Sequence, residues 1–187
     1  MNTTTRSLDT LVDELRTEFR REARGLRIAE LLRAYTRQET DWRAYALWDD
    51  AQYTRNLIAR EDRFELLLLC WGPGHESPIH NHEGQDCWMG VLEGEIEEVR
   101  YCRHEEVRPG PLEPRGTETF PKGDVTYIRD EIGLHLVRPA QRDLHGASLH
   151  LYAAPYDSCN VYCPETGRVA RTPLTDYSFR GRPVDGP

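Results

Sequence analysis

The residues able to do chemistry gather in one stretch, Cys70 to Gly94, which reads CWGPGHESPIHNHEGQDCWMGVLEG. It sets two histidines one residue apart between two apolar runs bounded by glycines. In a strand, side chains at i and i+2 share a face, so His80 and His82 can offer both imidazoles to one metal ion while Asn81 faces away. Glu83 and Asp86 are near enough in sequence to act as carboxylate ligands, and Cys87 follows shortly after. A third imidazole, His135, lies between Leu134 and Leu136 in IGLHLV; if both leucines pack outward, it points inward. Two histidines with a carboxylate carry an anionic ligand, whereas three neutral histidines leave the full charge of a divalent metal in place. A site of the second kind favours anionic partners, and a thiol bound there would lose its proton.

Two further patterns stand beside this cluster. In SLHLY the residues Ser148, His150 and Tyr152 share one face of a strand and Leu149 and Leu151 the other. A hydroxyl, an imidazole and a phenol in a row can hydrogen-bond in series, which would fix the Tyr152 hydroxyl in position. Arg55, in YTRN, has the same strand parity as Tyr53. Every basic residue except Lys122 is an arginine, so Arg55 alone reads as a surface residue.

The elements that must carry these groups follow from the texture of the chain. From Ser7 to Arg24 the apolar residues Leu8, Leu11, Val12, Leu15 and Phe19 recur at helical steps, with Ser7 as cap. A second helix follows Gly25 through Ile28, Leu31, Leu32 and Tyr35, and a short turn spans Asp41 to Leu47. Past Asp50 short apolar runs alternate with Gly, Pro and Asp: Tyr53 to Ile58, Phe64 to Trp71, Cys87 to Leu92, Glu95 to Tyr101, Val125 to Ile128, Leu134 to Val137 and Ala147 to Ala153. This pattern predicts a mainly β sandwich or barrel with the helices packed outside. Arg103 to Lys122 reads as a surface connection, and the tail from Arg168 reads as a segment that docks through Leu174, Tyr177 and Phe179 and carries no chemistry.

At 187 residues, one domain is expected: a helical flank over 1–50, a β-barrel core over 51–167 and a C-terminal tail over 168–187. No apolar run approaches the roughly 20 residues of a membrane span, so no membrane partner is expected. The formal charge of -8 argues against nucleic acid. The start of the chain has no apolar signal core, which points to the cytoplasm, where five cysteines, an odd number, would remain thiols.

Taken together, YTRN, CWGPGHESPIHNH, the downstream Cys87, IGLH and SLHLY resemble, in order, the motifs of the cysteine dioxygenases, the arginine-type branch of the cupin thiol dioxygenases. The resemblance spans Tyr53 to Cys159 and implies a cupin-type β-barrel, or small jelly roll. It implies that His80, His82 and His135 hold one Fe(II) per chain, with no organic cofactor. It also implies that Arg55, with Tyr53 beside it, binds the substrate carboxylate, and that Ser148, His150 and Tyr152 form the triad whose tyrosine hydroxyl faces the substrate and oxygen. The implied reaction adds both atoms of O2 to the sulfur of L-cysteine, giving cysteine sulfinate in a monomeric enzyme. Cys87 stands where many cupins place a metal-binding glutamate. A turn within Glu83 to Asp86 can reset the strand register so that Cys87 faces inward, and the family then implies a thioether crosslink between Cys87 and the Tyr152 ring. Ala153-Ala-Pro155 departs from the Ser-Pro-Pro of animal relatives, leaving a cis bond there open. A dioxygenase for another thiol such as 3-mercaptopropionate, and a metal-binding cupin without turnover, are the competing readings.

Overall fold

The computed structural model of the chain describes residues 7–21, 27–38 and 41–184. Helix α1 (Leu8–Arg21) buries the predicted stripe of Leu8, Leu11, Val12, Leu15 and Phe19. The Ser7 hydroxyl accepts the Thr10 N–H at 3.1 Å, capping one of the free donors of the first turn. Asp41 accepts the Leu8 N–H at 3.0 Å and the Tyr35 hydroxyl at 3.0 Å, so the 3-10 turn Asp41–Tyr45 ties α1 to α2 (Ile28–Thr36). The expected run of the first helix to Arg24 and the break at Gly25 lie outside the described residues.

The strands are β1 (Thr54–Arg60), β2 (Glu65–Trp71), β3 (Ile79–His80), β4 (Asp86–Glu93), β5 (Glu95–Arg100), β6 (Gly116–Pro121), β7 (Val125–Ile128), β8 (His135–Pro139), β9 (Gly146–Ala153), β10 (Ser158–Tyr162), β11 (Val169–Pro173), β12 (Ser178–Phe179) and β13 (Arg182–Pro183). They form a seven-stranded sheet ordered β13-β12-β1-β2-β9-β4-β7 and a six-stranded sheet ordered β11-β10-β3-β8-β5-β6. Alternation along β2 sends Leu67, Leu69 and Trp71 into an interior shared with Val91, Ile96, Phe120 and Val137 of both sheets. Its other face, Leu66, Leu68 and Cys70, packs with Leu149 and Leu151 under α1 and α2. Burial on both faces explains why β2 is a continuous apolar run. Fully burying each such leucine stabilises the fold by about 1.5–3 kcal/mol before its entropy cost.

Two expectations are corrected. The segment Arg103 to Lys122 is more than a connection: it contains a 3-10 turn, His104–Glu106, and β6, which pairs with β5 from Glu95↔Pro121 to Arg100↔Gly116. Only Phe120 of β6 is buried, so this edge strand carries no alternation that could be read. The tail contributes strands to both sheets, β11 antiparallel to β10 and β12 parallel to β1. Its polar sequence hides this because most of its residues face solvent.

Candidate metal centre and its cavity

His80 ends β3 and stands opposite His135 in the β3–β8 ladder, while His82 lies just beyond it in the chain. One ring nitrogen from each of the three lies within 4.8 Å of the others. His80 Nδ1 lies 2.9 Å from the Pro78 carbonyl and His135 Nδ1 lies 2.8 Å from Glu98 Oε1. Each acceptor requires the proton on Nδ1, so both rings turn an unprotonated Nε2 inward. Those two Nε2 atoms are 3.3 Å apart, a meeting of lone pairs rather than a hydrogen bond. His82 is buried with no hydrogen-bond partner on either ring nitrogen. A metal cation would relieve the lone-pair contact and satisfy His82 together, so the three imidazoles fit a metal ion. Burial lowers the pKa of all three, well below the usual value for His82 and His135, which keeps them in the neutral form that binds metal.

Glu98, missed in the sequence, is buried behind His135 and accepts Arg100 Nη2 at 2.8 Å and Nε at 3.1 Å through its other oxygen. Burial pushes its carboxyl pKa up and Arg100 pulls it back. The arrangement is the carboxylate–histidine pairing that fixes a ligand's tautomer and raises its basicity. Glu98 shares strand parity with the apolar Ile96, the one signal that marks it as inward-facing among the acids of EGEIEEVR.

The loop after His82 is clamped by Asp130, which accepts the His82 and Gly84 N–H groups, each at 2.7 Å. Asn81 faces away from the histidines and accepts the Asn160 N–H at 2.8 Å. Glu83 and Gly84 adopt left-handed φ of 55° and 76°, making a turn that re-phases the chain before β4. Glu83 pairs with Arg171 at 2.5 Å and Asp86 accepts the Tyr127 hydroxyl at 2.6 Å; neither joins the histidine cluster. Cys87 instead faces the interior, directly across the β4–β9 ladder from Tyr152. Burial, and next the Glu98 charge, push the Cys87 thiol well up, while the hydrogen bond from Tyr152 opposes them.

On β9 the polar series is complete. Trp71 Nε1 donates to Ser148 Oγ at 2.9 Å, Ser148 Oγ lies 2.9 Å from His150 Nε2, and His150 Nδ1 lies 3.4 Å from the Tyr152 hydroxyl. The Ser148 hydroxyl accepts from Trp71 and donates its own O–H to His150 Nε2, which leaves the ring proton on Nδ1 facing Tyr152. The phenolic proton of Tyr152 is then directed away from His150, toward Cys87 and the cavity. The Ala153–Ala154 peptide bond just after it is cis.

A cavity of about 950 Å³ joins these groups, lined by His80, Arg55, His150, Tyr152 and Tyr156 together with residues of the C-terminal segment such as Asp176. Tyr53 lines it too, stacked on Trp71 at 4.7 Å between ring centroids, and Tyr156 meets Tyr152 edge-on at 5.2 Å. The Arg55 side chain is 11% exposed, and its buried Nε has no hydrogen-bond partner. Burial opposes its charge, but Tyr152, Tyr156, Tyr53 and Glu65 around it raise its pKa, so it remains a cation. Asp176, from the tail to which the sequence assigned no chemistry, brings Oδ1 to 4.0 Å from Arg55 Nε. Glu65 is buried nearby with Oε1 unpartnered. Neither acid carried a sequence signal, since each reads as one acid among 32.

Two sheets closed around a shared core, with three convergent histidines of which His80 reaches the cavity, define a cupin with a metal-type site. The profile of the family described as Cysteine dioxygenase type I matches residues 1–165, and the chain belongs to that family. It is 30% identical to cysteine dioxygenase type 1 of Danio rerio, covering 94% of this chain and 88% of the relative. To cysteine dioxygenase type 1 of Homo sapiens it is 32% identical, covering 82% and 77%. Among solved structures, a conserved protein with a double-stranded beta-helix domain from Klebsiella pneumoniae aligns with a TM-score of 0.48 at 14% identity, covering 74% of this chain and 98% of that one.

Proposed function

We propose that the protein is a thiol dioxygenase that converts L-cysteine and O2 to cysteine sulfinate, with one Fe(II) per chain and no organic cofactor. The observation that carries this reading is the cavity itself, which meets the neutral histidine cluster through His80 at one wall and at another a buried guanidinium whose Nε has no hydrogen-bond partner. His80, His82 and His135 would hold the metal, which when bound would supply the redox-active centre where thiolate and dioxygen react. Arg55 fits the substrate carboxylate, because a planar guanidinium accepts it through two parallel bonds and fixes the rest of the molecule. Tyr53 and Trp71, stacked on each other, line the same cavity as Arg55. Ser148 and His150 hold the Tyr152 hydroxyl so that its proton faces the reacting groups.

The reading extends to a thioether between Cys87 Sγ and the Tyr152 ring. The two face each other across adjacent strands, and forming the bond removes one hydrogen from sulfur and one from the ring, with dioxygen as the acceptor. The bond would hold the phenol rigid without being essential to turnover. A monomer in the cytoplasm, where all five cysteines stay reduced, completes the proposal. The test is oxygen uptake by iron-loaded protein with cysteine, 3-mercaptopropionate and cysteamine, with products identified by mass. Cysteine sulfinate formed with two oxygen atoms from one O2 supports the reading. Iron binding without uptake on any thiol would make the protein a metal-binding cupin, and preferred oxidation of 3-mercaptopropionate would reassign the substrate.

A further inference from the structure

The carboxylate reader in this cavity is already faced by carboxylates of its own. Asp176 stands 4.0 Å from Arg55 Nε, too far for a hydrogen bond yet close enough for strong attraction at a site where both side chains are mostly buried. Glu65 also acts on Arg55, but it is committed elsewhere, 3.5 Å from Arg60 Nη1, and is almost wholly enclosed. Asp176 is the more accessible of the two and lines the cavity directly. It reaches this place because the Tyr177 N–H donates to the Arg55 carbonyl at 2.7 Å and β12 runs alongside β1. The family profile ends at residue 165, so nothing in that match assigns this segment a role.

From this geometry we infer that Asp176 is a positioning residue for substrate recognition, the internal counter-ion that Arg55 exchanges for the carboxylate of an incoming thiol. A buried guanidinium left without an anion is costly, and Asp176 supplies one while the cavity is empty of substrate. Because no hydrogen bond locks the pair, a ligand carboxylate that makes two parallel bonds displaces it. The displacement is felt only by ligands that carry a carboxylate. Asp176 therefore sets how sharply the site separates cysteine from thiols lacking that group, and it weakens a grip that Arg55 alone would make tighter.

The inference rests on Arg55 reading the substrate carboxylate, and the variants separate the two claims. Steady-state kinetics of the iron-loaded protein would be measured for Asp176→Asn, Asp176→Ser, Asp176→Glu, Arg55→Ala and the double variant Arg55→Ala/Asp176→Asn, with thermal midpoints recorded alongside. With Asp176→Asn the KM for L-cysteine is expected to fall about three- to tenfold, the range of a partly screened charge interaction, with kcat changed by less than about twofold. The KM for cysteamine, which has no carboxylate, should stay as in the unaltered protein. Asp176→Ser should match the asparagine variant and Asp176→Glu the unaltered protein, and in the Arg55→Ala background Asp176→Asn should change nothing. A cysteine KM that is unchanged or raised in both neutral variants at intact thermal midpoint overturns the inference, as does an equal fall for cysteine and cysteamine. If Arg55→Ala itself leaves the cysteine KM untouched, the carboxylate reading fails and takes the counter-ion with it. If Arg55→Ala raises that KM but the asparagine effect persists in the double variant, only the role of Asp176 is lost.

Discussion

Replacing Glu98 by glutamine separates charge from shape behind His135, one of the three proposed metal ligands. Glu98 Oε1 accepts from His135 Nδ1 at 2.8 Å and the other oxygen accepts Arg100, all among buried or half-buried groups. Glutamine keeps an oxygen for the histidine, so the tautomer with Nε2 unprotonated survives, but the acceptor becomes neutral. A hydrogen bond to a charged partner is worth about 1.5–3 kcal/mol and a neutral one about 0.5–1.5, which leaves a loss of about 1–2 kcal/mol in ligand basicity and orientation. Converted at 1.4 kcal/mol per tenfold, iron(II) should bind roughly 5- to 30-fold more weakly, within the span usual for groups that orient a ligand. Anaerobic competition against a chelator of known affinity measures this directly, without relying on turnover. Glu98→Ala should lose more, because His135 Nδ1 then has no acceptor and the ring is free to turn. Iron affinity within about twofold of the unaltered protein in Glu98→Gln, at unchanged thermal midpoint, would refute the argument that Glu98 supports the metal through His135.

Four further outcomes are expected. Arg55→Ala should cost about 2–4 kcal/mol in kcat/KM for cysteine and little for cysteamine; equal losses on both would remove the carboxylate contact. His80→Ala, His82→Ala and His135→Ala should each lose most bound iron, and full occupancy in any one excludes that residue from the ligand set. Intact mass should fall by two hydrogens during turnover with cysteine and oxygen but not in Cys87→Ser, which should keep activity; a constant mass in the unaltered protein removes the thioether. Burial first, and then the neighbouring His135 imidazole and the Arg55 charge, disfavour a proton on His150 and hold its pKa well below the ordinary value, so below about pH 6.5 the unfolded chain binds a proton there that the folded protein does not. Stability should therefore fall on acidification below that pH, and less steeply in His150→Gln; parallel denaturation slopes for the two metal-free proteins would contradict it.

How much of this was legible depended on whether a residue announced itself by its neighbours. The i, i+2 histidines, the leucines flanking His135 and the alternation of SLHLY each encode a face: the structure gathers the three histidines, brings His80, His150 and Tyr152 to one cavity, and packs the leucines of both segments into clusters away from it. Strands buried on one or both faces, such as β2 and β9, were readable for the same reason. Strands β6 and β11 were not, because exposed edges leave no alternation, and β3 is only two residues long. Nor does any local pattern announce that β12 returns to lie parallel to β1 from a hundred and more residues downstream.

The shape of the site follows from how the two sheets meet. The histidines stand on or just beyond strands of the six-stranded sheet, while Arg55, His150 and Tyr152 belong to the seven-stranded one, so the cavity exists only where the two sheets face each other. The metal-type wall is fixed by buried groups with short, directional bonds: Glu98 on His135, Pro78 on His80, and Asp130 on the loop of His82. Around Arg55 stand the phenols of Tyr152, Tyr156 and Tyr53 and a carboxylate 4.0 Å away, which constrain charge more than angle. A rigid wall suits a centre whose ligand geometry sets its reactivity, and a looser one suits a group that must exchange partners each time a substrate enters and a product leaves. Substitutions at Glu98 should therefore act on metal affinity, and those at Asp176 on KM.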